Sequence, residues 1–81
     1  MELKDTVDMM TSDDYKERFK AEFYQLGNRI DKLHNMLEQW DEGKLTFVPT
    51  CPRHILSKQL GAMCAYEDAL VERARIEGIE L

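Results

Sequence analysis

Seven apolar side chains, Phe19, Phe23, Leu26, Ile30, Leu33, Leu37 and Trp40, follow one another at spacings of four, three, four, three, four and three. Alternating fours and threes keep side chains on one face of a helix that turns every ~3.6 residues. Lys16, Lys20, Asn28, Asp31, Lys32, Asn35 and Glu38 fall between the seam positions and supply a solvated face. A long amphipathic helix of this kind requires something apolar to pack against, and that requirement governs the rest of the chain.

The partner is encoded downstream. Leu56, Leu60, Met63, Leu70 and Ala74 repeat the pattern of fours, threes and sevens. Beside this seam runs a second stripe made of Ile55, Ala62, Tyr66, Ala69 and Ile76, and Gly61, Ala62, Cys64, Ala65 and Ala69 allow a backbone to approach closely. The two stripes together span a wider arc than one partner helix covers, so the pattern predicts self-association as well as a hairpin. Leu26, Ile30, Leu33, Leu37, Leu60, Met63 and Leu70 are the expected core, with Cys64 as a small core residue.

Punctuation sets the boundaries. Thr11 and Ser12 offer N-cap hydroxyls, Asp13 and Asp14 suit the positive end of a helix dipole, and Gly43 is the expected stop. Residues 44–52, KLTFVPTCP, carry two prolines and no helical period. Phe47 and Val48 are expected to fold back over the hairpin end near Trp40, in a loop that admits at most a two-residue bridge. Thr50 or Cys51 caps the second helix and Gly78 ends it, with Ile79 and Leu81 closing the packing. Ahead of the long helix, Leu3, Val7 and Met10 share one side of a segment too short to be helical alone in water, so it either folds by docking or stays a frayed terminus. The expected class is all-α: one helical-hairpin domain over 1–81, antiparallel, assembling into a homo-oligomer. Its parts are a short N-terminal helix within 1–11, a helix over 12–42, a loop over 43–51 and a helix over 52–78.

With 81 residues the chain buries only about 60 to 65% of its unfolded surface. Sixteen acidic against eleven basic residues give a net charge of −5, which argues against binding DNA, RNA or an anionic membrane through a broad positive field. There is no apolar run of ~20 residues and no basic-then-apolar leader, so a soluble intracellular protein is expected. Cys51 and Cys64 read as reduced thiols. Cys51 with His54 forms a CxxH pair, but without a second closely spaced pair it assembles no four-ligand metal site, and no metal or other cofactor is expected.

Catalytic groups are absent at any recognisable spacing. There is no glycine-rich phosphate loop, no HExxH, no paired CxxC and no supported Ser-His-Asp set, so the chain does not read as an enzyme. What remains is a set of cations near aromatic rings. Tyr15, Lys16, Arg18 and Lys20 crowd the start of the first long helix; Arg53, His54 and Lys58 crowd the start of the second; Arg73 and Arg75 lie near its end. An antiparallel hairpin returns Arg73 beside Tyr15 and Arg18. An arginine fork beside a phenol suits a phosphate and a stacked base. The competing reading is a set of solvated charges in local contacts with Asp14, Glu17, Glu22, Glu72 and Glu77.

SDDYKERFKAEFYQL (residues 12–26) and LSKQLGAMCAYEDALVERARIEGIEL (residues 56–81) resemble small helical-hairpin proteins widespread in phages and prophages, including a family first catalogued in crAss-like phages. The plan of short N-terminal segment, long helix, proline-bearing turn and second helix with an aromatic seven residues before an arginine, Tyr66 and Arg73, is more remotely similar to the phage anti-CBASS sponges. Those share a hairpin superfamily with one class of anti-Thoeris sponges. The resemblance implies a homo-oligomer, often a hexamer, acting in the cytoplasm of an infected bacterial host. It also implies sequestration, without cleavage, of a cyclic oligonucleotide or cyclic ADP-ribose-type immune signal. Tyr15 matches the sponge aromatic near the start of the long helix, and Lys16, Arg18, Lys20 and Lys32 all stand as matches for a basic residue from a neighbouring protomer. Tyr66 replaces a tryptophan of the sponge pattern. Tyr15, Arg18, Lys20, Arg53, Lys58, Tyr66 and Arg73 are thus the candidate ligand-binding residues. The alternative is a phage accessory protein whose helical face binds a host or phage protein.

Overall fold

The computed structural model describes residues 2–81 as all-α, with no strand among them; Met1, the first residue of the expected N-terminal segment, lies outside the described residues. A 3-10 turn over Leu3–Thr6 runs into α1 (Val7–Met10), followed by α2 (Tyr15–Asp41) and α3 (Arg53–Glu77). The longest dimension is 43 Å, set by the 27 residues of α2 at ~1.5 Å each. The two long helices are antiparallel: Tyr15 at the start of α2 bonds Glu77 at the end of α3, and Asp41 at the end of α2 pairs with Arg53 at the start of α3.

Local chemistry moves the helix ends from their expected places. The Thr11 hydroxyl donates to the Val7 carbonyl at 3.0 Å, so it serves the end of α1, and Ser12 Oγ accepts the Asp14 N–H at 3.0 Å. The N-cap of α2 is therefore Asp14, whose carboxylate accepts the Lys16 N–H at 2.9 Å, and the helix begins at Tyr15 rather than at residue 12. Pro52, not Thr50 or Cys51, is the N-cap of α3; it has no side-chain hydrogen bond to offer, and its carbonyl accepts from Ile55. Gly78 terminates α3 at φ +72°, a left-handed turn that lets the Ile79 N–H return to the Ala74 carbonyl at 2.9 Å. Ile79 is thereby buried, whereas Leu81 stays exposed.

The core is off-centre. Phe19, Leu26, Ile30, Leu70, Ala74 and Ile79 form one buried cluster at the end where Tyr15 meets Glu77, with Phe23, Leu60 and Met63 packed against it. Toward the other end Leu37 is buried, but Leu33, expected to be fully packed, is half-buried. It lines an open groove of about 390 Å³ together with Leu3, Met36, Leu56 and Met63. Leu60 and Met63 are likewise only half-buried.

The N-terminal segment docks on α2 and not on α3, and with a different face from the one expected. Val7 and Met10 are each 47% exposed, whereas Thr6 is 1% exposed. A 3-10 turn has 3.0 residues per turn, so Leu3 and Thr6 stack and the α-helical spacing of Leu3, Val7 and Met10 is broken. Thr6 is fully satisfied in its burial, its hydroxyl donating to the Leu3 carbonyl at 2.7 Å and accepting from Gln25 Nε2 at 2.9 Å.

On the far side α3 is bare. Ile55, Ala62, Tyr66, Ala69 and Ile76, the whole second stripe, are exposed. Cys64, expected in the core, is exposed too, because it lies ~100° around the helix from Met63, outside the arc that α2 covers. Phe47 and Val48 do lie close to Trp40, lining a cleft of about 220 Å³ with it, but they do not cover the hairpin end. Val48 is 90% exposed.

Candidate functional site

Three side chains close a hydrogen-bonded ring at the open end of the hairpin. Tyr15 is the first residue of α2, and Arg73 and Glu77 lie one turn apart at the end of α3. Arg73 Nη2 donates to the Tyr15 hydroxyl at 2.6 Å, the same hydroxyl donates to Glu77 Oε1 at 2.9 Å, and Arg73 Nε donates to Glu77 Oε2 at 3.2 Å. The Arg73 guanidinium carbon also lies 4.9 Å from the centroid of the Phe19 ring, which is itself buried in the core. Phe19 and Tyr15 are tilted ring neighbours at 6.3 Å. A core aromatic thus anchors a half-exposed cation, and the cation holds a half-exposed phenol.

The ring perturbs its members. The hydrogen bond to Glu77 is the main cause that pushes the Tyr15 phenol above its ordinary pKa; loss of solvent adds to it, and together they outweigh the opposing effect of Arg73. The hydrogen bond to Glu77 likewise raises Arg73 above its ordinary value. Both groups sit at the surface and hold their ordinary charge states at neutral pH: one planar cation with a neutral phenol beside it. The cluster presents a ring face and a guanidinium, with the Nε and Nη2 donors of Arg73 and the Tyr15 hydroxyl engaged within the ring and the cation paired with Glu77.

The other candidate residues are dispersed. Arg18 Nη1 donates to the Ser12 carbonyl at 2.8 Å, fastening the segment that enters α2, and no bond joins it to Tyr15 or Arg73 among the described residues. Lys20 lies 3.7 Å from Glu17. Arg53 makes a two-pronged pair with Asp41, at 2.8 and 2.6 Å, that ties the closed end of the hairpin. Lys58 is exposed, with no ion pair among the described residues. Tyr66 lies about two turns before Arg73 on α3, on a small cleft of about 160 Å³ shared with Glu22, Gln25, Leu26 and Arg29. Arg75 pairs with Glu72 at 3.4 Å. Hairpin geometry therefore unites Tyr15 with Arg73, while Arg18, Lys20, Arg53, Lys58 and Tyr66 stand apart from that pair within one chain.

Glu77 and Phe19 belong to the cluster but were not singled out as site residues from the sequence. Their signals were present: each stands four residues from its partner, Glu77 after Arg73 and Phe19 after Tyr15, one helical turn in both cases. Phe19 reads as core because it is core, and its second role shows only once Arg73 is placed over it. No group of three or more His, Cys, Asp or Glu among the described residues is placed to hold a metal ion. No helix among them is long and apolar enough to cross a membrane.

No curated protein and no solved structure matches the chain. A family model described as Sequestin matches residues 13–76. The match takes in all of α2, the loop and nearly all of α3, with Tyr15, Phe19 and Arg73 inside it and Glu77 one residue beyond. Both arms of the hairpin and the pair that joins their ends thus lie in a single matched stretch, and the chain belongs to the Sequestin family.

Proposed function

We propose that this protein is a sponge: a phage-encoded, homo-oligomeric hairpin that sequesters cyclic nucleotide immune signals in the cytoplasm of an infected bacterium. The family's name denotes sequestration, and the observation that carries the reading to a ligand is the Tyr15–Arg73 pair anchored on Phe19. A cyclic dinucleotide has two phosphates and two stackable bases. A planar guanidinium beside a phenol provides for one of each, and a two-fold junction between chains doubles the set to match a ligand of near two-fold symmetry. Arg18 or Lys20 of a neighbouring protomer would supply the further cation. The bare stripe of α3, Ile55 to Ile76, is the surface on which protomers would join. Arg53 and Lys58 form a second anion locus at the start of α3, but Asp41 occupies Arg53 there. Sequestration needs tight binding on a rigid frame and no turnover.

The same bare stripe favours a second reading, in which a host or phage protein covers α3 and no small ligand is bound. Isothermal titration against cyclic dinucleotides, cyclic trinucleotides and cyclic ADP-ribose isomers separates the two. The sponge reading expects heat with one class of these, and a ten- to hundredfold loss of affinity, roughly, in Arg73→Ala, the value of one charge-assisted contact to phosphate. No heat from any of them refutes it in favour of a protein partner.

A further inference from the structure

We propose that Glu77 is a built-in competitor for the anion site, its carboxylate occupying in the free protein the donors of Arg73 and Tyr15 that a ligand phosphate takes over on binding. This rests on the sponge reading for the identity of the ligand, but not for the competition itself.

The first ground is chemical. Each Glu77 oxygen accepts one hydrogen bond, from the Tyr15 hydroxyl at 2.9 Å and from Arg73 Nε at 3.2 Å. Two oxygens of one anion bridging a guanidinium and a phenol is the arrangement a phosphate would make with the same donors. A phosphate arriving while Glu77 remains would meet a fixed negative charge on the very groups it needs.

The second ground is that Glu77 is poorly placed to serve the helix. It is the last residue of α3, at the negative end of the helix dipole, where a carboxylate is unfavourable. Its pairing with Arg73 runs cation-first along the helix, the weaker of the two i,i+4 orientations. Helix stability therefore does not explain an acid at this position, whereas the ring with Tyr15 and Arg73 does.

The third ground is mechanical. Gly78 follows at φ +72° and ends the helix, so Glu77 sits at a terminus with solvent beside it and its side chain can swing out without disturbing the core. Arg73 stays behind. Its attraction to the buried Phe19 ring acts on the whole cation and consumes none of its N–H donors, so the guanidinium remains presented when the carboxylate leaves. The site is then neutralised by its own acid when empty, and the Arg73 cation turns to a ligand anion only as that acid leaves. That would discriminate against weak monoanions such as acetate or chloride, which cannot outcompete a tethered carboxylate, in favour of ligands bearing phosphodiesters and a base to stack.

The test compares the parent protein with Glu77→Gln and Glu77→Ala by titration calorimetry, using two probes: pyrophosphate, and the cyclic nucleotide panel. Far-UV circular dichroism checks that each variant keeps its helix content. Removing the acid is expected to tighten binding of both probes by roughly three- to tenfold, the scale on which an exposed ion pair and its repulsion of a like charge shift an equilibrium. If the parent binds a cyclic nucleotide and both variants bind it no more tightly, the competitor is refuted while the sponge reading stands. If the parent binds no cyclic nucleotide but the variants gain affinity for pyrophosphate, the competitor stands and the sponge reading falls. If neither probe binds to any of the three proteins, both are refuted. A merely structural role for Glu77 would lower stability in the variants and leave affinity flat or weaker.

Discussion

Leu70→Ala removes three carbons from a side chain that is 1% exposed and enclosed by Phe19, Leu26, Ile30, Ala74 and Ile79. At about 0.8 kcal/mol per carbon the lost transfer energy is about 2.4 kcal/mol. The hole left behind adds a further cost that depends on whether the walls close in. Ala74 is too short to fill it, and Phe19 is held from outside by Arg73, so only partial collapse is available. A loss of about 3 to 4 kcal/mol follows, a large share of the ~4 to 12 kcal/mol expected for a chain of this length. Leu33→Ala, on the wall of an open groove, should cost only about 1 to 2 kcal/mol, since part of that side chain already meets water. Urea unfolding followed at 222 nm measures both, and with a slope of about 1 kcal/mol per molar the Leu70→Ala midpoint falls by about 3 to 4 M. The titration should be run at two protein concentrations, because association would couple stability to concentration. Equal losses for the two variants, or a larger one for Leu33→Ala, would refute the off-centre core.

Two further expectations are open to simple measurements. Self-association should appear by light scattering as a mass above 9.5 kDa at micromolar concentration, and Ala69→Glu should abolish it by placing a charge on the bare stripe; a monomeric parent would end the oligomer reading. The Tyr15 phenol should titrate above the ordinary value of 10.0, and Glu77→Gln should lower it, as followed by NMR of the ring. The folded state holds that proton more tightly than the unfolded one, so the contribution to stability is complete below pH 10 and is lost as pH rises through the higher, folded-state value. A Tyr15 titration unaffected by Glu77→Gln would mean that the ring does not form in solution.

Periodicity made the two long helices and their pairing legible, because a seam such as Phe19 to Trp40 has one geometric solution. It also marked the stripe that the hairpin leaves uncovered. Three features were harder to see, each for a local reason. The N-terminal segment turns as a 3-10 helix, which put Thr6 rather than Val7 against α2. The caps went to Asp14 and Pro52 because Thr11 and Ser12 were already engaged on other backbone groups, and because a proline can occupy the N-cap itself. Leu33 carries the seam pattern, yet a groove lies open beside it between residues of α2 and α3, which no spacing of residues along one helix reports. At the site, the union of Tyr15 with Arg73 followed from antiparallel geometry alone. The ring they make with Glu77 did not, since an acid four residues after an arginine reads equally well as a surface pair.

The N-terminal segment packs on α2 and leaves α3 untouched, so α2 is flanked on two sides and α3 on one. The two helices therefore carry unequal mutational freedom. A change on α2 meets a packed neighbour in most directions and is answered by the stability of the fold. On the outer arc of α3, residues such as Ala62, Ala69 and Ile76 are exposed and lie outside the core. Selection can rewrite that arc for a new contact while the frame persists, which makes the outer arc of α3 the evolvable surface of the hairpin even though its inner face, with Leu70 and Ala74, is fixed by the core.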